Sequence, residues 1–315
     1  MAETLLALVV QSAAAAGVAG ALLSAWGVRR PSVRLGFWLL ALILPPLLHP
    51  LLGVAAPFRA SAPFRQSVAL FVAARWTQLP VGSWRLGPVL AWLVAALGLA
   101  LYLRDIVPAL RHGWRVRAQG VDGDPRRGEV AQRLAAHAAR LGVAPPGTGL
   151  IPDDGMTYLY CRGFRSPSVV VSTGALVALS PDELDAALAH EVGHLSGRHL
   201  ALGWGLIAVR SVLLFNPVAQ ILGRTAVLEM ERAADDAAAA ATGRPAALAS
   251  ALEKLGVLSD DDGMNLPGGL RFDVVKWRLQ RLSERGAVPG PEAPEGLMLT
   301  LAGAAVALLV FFVVA

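Results

Sequence analysis

The segment ALAHEVGHLSGRHLA, residues 187–201, places His190, Glu191 and His194 within about one and a half helical turns. Two imidazoles four residues apart share a helix face and can converge on one point. Neutral imidazole is a good zinc ligand, and a glutamate one step round the helix can reach a water held on that metal. The chemistry this spacing permits is metal-assisted hydrolysis, with His190 and His194 as ligands and Glu191 as general base. The competing reading is a helix that merely carries surface histidines.

A catalytic zinc site needs a third protein ligand and an open position. A histidine at metzincin spacing is absent: Gly197 fits, but position 200 is Leu200 and His199 falls one residue short. His199 reads instead as a cation at a helix end, favourable near the negative pole of the dipole. The later segment LEMERAADDAAAAATG, residues 228–243, offers Glu231 and Asp235 four apart on one helix face, with Thr242-Gly243 as the stop signal. Glu231 would close a tetrahedral site for one zinc per chain, and Asp235 would accept the second N–H of a ligand histidine. With Glu229 and Asp236 close by, a solvated acidic face is the alternative.

The elements that must position these groups are partly legible. Ser180-Pro181-Asp182-Glu183 combines an N-cap serine, a proline at the first helical position and a glutamate at the third, which predicts a capping box and a helix start. Leu184, Leu188, Val192 and Leu195 then recur at helical spacing. SVVVS, residues 168–172, reads as a strand; at a sheet edge it could receive a substrate peptide as an added strand, and otherwise it is a core strand. Pro/Gly-rich stretches at 144–149 and 286–296 read as a loop and a linker, and the alanine run 237–241 sits inside a helical pattern.

Composition says where the site works. With 55% hydrophobic and 16% charged residues, the chain is too apolar for an ordinary soluble protein of this length. Residues 1–112 read as a transmembrane domain with spans at 5–26, 35–52 and 89–110, residues 113–290 as a soluble-sized domain, and 297–315 as a last span. Ser67 to Trp76 is too short to cross and reads as interfacial or re-entrant. Residues 200–222 form another apolar run, interrupted by Arg210 and Pro217, expected as a membrane-associated hairpin or helix, with a further crossing as the alternative. Glu3 before the first run and Arg29, Arg30 and Arg34 after it predict an anchor, not a signal peptide. By the positive-inside rule the N-terminus is outside and the central domain faces the cytoplasm. Cys161 is the only cysteine, which rules out an intrachain disulfide. The net charge of +5 follows from membrane-flanking arginines, and no basic face with interleaved aromatics suggests nucleic acid.

HEVGH, then Asn216-Pro217, then ERAADDAAA resemble the integral-membrane gluzincins across about residues 150–285. Two groups are similar: the sensor-transducer peptidases of the BlaR/MecR type, by their layout of spans, and the HtpX/CAAX prenyl protease group, by HEVGHLSGRH. Because the sequence stops at Ala315, just past its last span, antibiotic sensing is not expected. The resemblance implies a mainly α membrane protein: three N-terminal transmembrane helices, an α+β zinc peptidase domain with a small sheet, and one C-terminal transmembrane helix. It implies His190, His194 and Glu231 as zinc ligands, Glu191 as the acid/base, and Arg278 in KWRLQRL as a donor to the oxyanion, with a surface arginine as its alternative. The expected activity is endopeptidase cleavage of a cytoplasmic, repressor-type regulator or of a membrane protein, in a multi-pass protein of a bacterial cell membrane in contact with lipid. A signalling or scaffold protein with a structural metal is the other possibility.

Overall fold

Long apolar runs in lipid must satisfy their own backbone polar groups, and in this chain they do so as helix. The computed structural model describes residues 2–82, 84–115, 126–163, 165–257, 278–282 and 294–314. In chain order the elements are α1 (Ala2–Ala25), α2 (Pro31–Ala55), α3 (Ala62–Ser67), β1 (Phe71–Val72), α4 (Ala73–Thr77), β2 (Pro80–Val81), β3 (Trp84–Arg85), α5 (Leu86–Arg115) and α6 (Arg126–Arg140). There follow β4 (Gly147–Ile151), β5 (Leu159–Arg162), β6 (Ser168–Ser172), α7 (Thr173–Ala178), α8 (Pro181–Ser196), α9 (His199–Val212), α10 (Pro217–Thr242), α11 (Pro245–Val257), α12 (residues 278–282), α13 (Glu295–Phe312) and β7 (Val313–Val314). The backbone divides into two compact units: Met1–Leu103, Leu206–Val227 and Pro289–Ala315 form one, and Arg104–Gly205 with Leu228–Val288 the other.

In the first unit α1, α2, the stretch Leu86–Asp105 of α5, and α13 are each long and apolar enough to cross a membrane. The four apolar runs of the sequence fold as the four expected helices. Ala7, Gln11, Ala15, Ala19 and Leu23 recur every fourth residue on the buried face of α1. These mostly small side chains let α1 pack closely on α2 and α13. Two polar side chains buried there are paired: Gln11 Nε2 donates to the Val313 carbonyl at 2.8 Å, and the Arg59 guanidinium donates to the carbonyls of Val310, Phe311 and Val313 at the end of α13. The segment from Ser67 to Trp76 is no span; it comprises the end of α3, β1 paired in parallel with β7, and most of α4.

Residues 200–222 form a helix, a turn and the start of a second helix. α9 has 14 residues, short of the ~20 a crossing needs. Asn216 ends the turn by accepting, through Oδ1, the backbone N–H groups of Val218 and Ala219, with Pro217 at the first helical position.

The second unit is built on a three-stranded sheet of order β4-β6-β5, parallel between β4 and β6 and antiparallel between β6 and β5. Val169 and Val171 of β6 are buried with Leu134 of α6, Leu150 of β4, and Leu188 and Val192 of α8 in one core. SVVVS is therefore the central strand, and β5 is the edge beside α8. Val169, Val170 and Val171 are all buried, and an apolar run of this length reports burial and not how many neighbours the strand has. The loop expected at 144–149 is shorter than the composition suggested, since Gly147–Gly149 already pair with Ser168–Val170. Most of the linker expected at 286–296 lies outside the described residues.

The start of α8 follows the sequence closely. Ser180 Oγ accepts the Glu183 N–H, and the Glu183 carboxylate accepts the Ser180 N–H at 2.7 Å. That carboxylate also accepts from Ser250 at 2.6 Å and Lys254 at 2.6 Å on α11. Burial pushes the Glu183 carboxyl up, but these partners outweigh it and hold it down at about 2. Glu183→Ala is expected to destabilise the unit by about 1–2 kcal/mol in chemical denaturation. A depressed carboxylate stabilises above its unfolded value, so the difference between parent and variant should be full above pH 4.5 and fade as the pH falls toward 2.

Candidate metal centre

Two helices supply the site. α8 carries His190, Glu191 and His194, and α10 carries Glu231 and Asp235. They approach closely because the residues between them are small: a Cβ on Gly193 would come within 3.0 Å of the Ala234 carbonyl, and Ala186 and Ala189 are buried against Ala238. The alanine run of α10 is thus the surface that seats the helix on α8, a role its low complexity does not announce.

The three expected ligands converge. His190 Nε2 lies 3.1 Å from His194 Nε2, and the Glu231 carboxylate oxygens lie 3.5 Å from each ring. Zinc with bonds of about 2.0–2.1 Å in tetrahedral geometry separates its ligand atoms by about 3.3 Å, so the spacing of this donor set suits that ion. Two ring nitrogens facing each other at 3.1 Å also require a proton or a cation between their lone pairs.

A ring of charged partners holds the donors in place. Asp235 Oδ1 lies 3.0 Å from His190 Nδ1, near enough for charge to act although the pair is out of hydrogen-bond alignment. Arg278, from α12, donates through Nε and Nη2 to the two Asp235 oxygens at 2.9 and 2.6 Å, and its Nη1 lies 3.0 Å from Glu231 Oε2. Arg278 is 5% exposed, so it is no surface arginine. Burial alone would push both carboxyls up; the histidines and Arg278 outweigh it and hold Glu231 well below the usual range and Asp235 at about 2. Burial would also lower His190, but Asp235 and Glu231 raise it, whereas burial dominates at His194 and pushes it down. The other acids of α10 are engaged elsewhere, Glu229 with Arg232 at 2.7 Å and Asp236 with Arg281 at 2.8 Å, so the segment is not a solvated acidic face.

Glu191 is buried one step round α8. Burial pushes its carboxyl up to about 7, with His190 pulling it down and Glu231 up. A carboxyl near neutrality can both take and return a proton.

His199 differs from its expected place. α8 ends at Ser196, the backbone turns, and His199 opens α9 with its ring buried, Nδ1 lying 3.0 Å from His194 Nδ1. Burial pushes it down to about 4, so it is neutral and not a helix-end cation. Helical spacing does not reveal this place, because the helix stops at Ser196 before reaching His199.

His190 is buried while His194 and Glu231 are half-buried, a His-His-Glu set with the carboxyl of Glu191 adjacent, and residues 124–254 match the model of peptidase family M48. Among curated proteins the chain is similar to a protease HtpX homolog of Thermococcus sibiricus (strain DSM 12597 / MM 739), at 25% identity over 179 residues, covering 45% of this chain and 60% of that protein. The chain thus spans about 60% of the length of the curated relative it matches. No solved structure matches it. Of the two groups that the sequence resembles, it is the HtpX group whose name the similar curated protein carries.

Proposed function

We propose that the chain is a membrane-bound, zinc-dependent endopeptidase. The observation that carries this reading is the convergence of His190, His194 and Glu231, whose ligand atoms all lie within 4.8 Å of one another, beside a buried Glu191. His190, His194 and Glu231 would hold the zinc. When bound, the ion polarises the scissile carbonyl and makes water a better acid. Glu191 accepts a proton from the attacking water on its carboxylate and delivers it to the amide nitrogen as the C–N bond breaks. The Asp235 carboxylate supports His190 through its charge, 3.0 Å from Nδ1. Arg278, which the resemblance assigns to the oxyanion, reaches His190 Nε2 to 3.5 Å, so it borders the ligand triangle while neutralising Asp235 and Glu231.

Among the described strands β5 is the sheet edge beside α8, the helix that carries Glu191. An extended substrate segment pairing along β5 would therefore present its peptide bonds next to the base. We assign the substrate to proteins, either a cytoplasmic regulator of the repressor type or segments of membrane proteins. In this reading the catalytic unit faces the cytoplasm at a bacterial cell membrane, an orientation that the arginine-rich flanks of the spans support. A structural metal in a scaffold protein has no use for a general base, and the buried Glu191 supports the enzyme. Proteomics of membranes expressing the parent or Glu191→Gln tests the reading: fragments should appear with the parent alone, and identical fragment sets would remove it.

A further inference from the structure

The turn between α8 and α9 is unusual for its sequence. Arg198 has φ 53°, the left-handed region that costs a non-glycine residue free energy. Gly197 closes α8, its N–H bonded to the Gly193 carbonyl, and the Arg198 N–H bonds to that of Leu195. This reversal folds His199 back under the helix it has just left. The room for its ring is the space over Gly197, where an added Cβ would collide with Nε2 of His199. The ring ends edge-on to that of His194, with centroids 5.1 Å apart and the two Nδ1 atoms at 3.0 Å.

We propose that His199 is the positioning residue of His194. It accepts the Nδ1 proton of that ring and fixes the tautomer and orientation that present Nε2 to zinc. The proton placement follows from valence. If Nε2 of His194 offers its lone pair to a cation, the proton of the neutral ring is on Nδ1 and must be donated. The atom facing it is His199 Nδ1, which then bears a lone pair and leaves its own proton on Nε2 over Gly197. A ligand histidine whose second nitrogen is held in this way binds metal more tightly. The two ligand histidines thus have different supports, an anionic one from Asp235 for His190 and a neutral one from His199 for His194.

This inference rests on the zinc reading above, and the test separates the two. Zinc affinity of the purified full chain in detergent is measured by competition with a fluorescent chelator, alongside melting of the zinc-free protein. His199→Ala should weaken zinc about 10–100-fold. His199→Asn, whose amide oxygen can stand where Nδ1 stood, should bind within a few-fold of the parent and melt with it. Gly197→Ala should displace the ring and match His199→Ala, and the double variant should be no weaker than either single one. A His199→Ala protein that binds zinc like the parent would overturn the proposal, as would His199→Asn falling as far as His199→Ala, or additive losses in the double variant. A parent that binds no zinc would instead remove the zinc reading and this inference with it.

Discussion

Glu191→Gln is expected to hold zinc as tightly as the parent and to cleave a peptide at least ~10²-fold more slowly. Glutamine keeps the size of the side chain and a hydrogen-bonding oxygen but cannot take a proton. Glu191 is not among the converging ligand atoms, so its replacement leaves the donor set of His190, His194 and Glu231 intact. The carboxyl is buried, and removing its charge leaves no unpaired ion behind. Single-turnover cleavage of an unfolded protein, read beside zinc content, checks both halves. Undiminished cleavage with zinc retained would remove Glu191 from the mechanism.

Arg278→Ala should be the most destabilising single change at the site. It strips the countercharge from Asp235, 1% exposed, and from Glu231, and breaking a buried ion pair from one side costs about 3–5 kcal/mol. The loss should be largest in chelator and smaller with zinc, because the cation then offsets Glu231. Removing the Asp235 charge as well, in Arg278→Ala/Asp235→Asn, should recover part of it, since the pair then leaves together. Denaturation of the four proteins with and without zinc measures these differences. A loss below about 1 kcal/mol for Arg278→Ala in chelator would mean that the guanidinium is not the partner these carboxylates depend on.

Local signals in the sequence proved sufficient where a structure is closed within a few residues. The Ser180–Glu183 box, the stop at Thr242-Gly243 and the four apolar helices stand where they were expected. So does the convergence of two four-residue spacings, His190/His194 and Glu231/Asp235, on one centre. What could not be read depends on chain reversals and partners distant in sequence. The left-handed Arg198 turns His199 inward, against its own propensity, and no periodicity records that. The three consecutive valines of β6 are all buried, and their run does not say that the strand pairs on both sides. The salt bridges of Arg278 reach Asp235, 43 residues away, and Glu231, farther still, so its sequence neighbours in KWRLQRL give no hint that its guanidinium is spent on two carboxylates.

The central claim is that His190, His194 and Glu231 form a zinc site, and elemental analysis of the purified full chain tests it most directly. The parent should carry about one zinc per chain, and His194→Ala and Glu231→Ala should each carry far less, because three protein ligands with one open position define such a site. A parent free of metal after purification with zinc present, or a Glu231→Ala protein with its zinc undiminished, would contradict it.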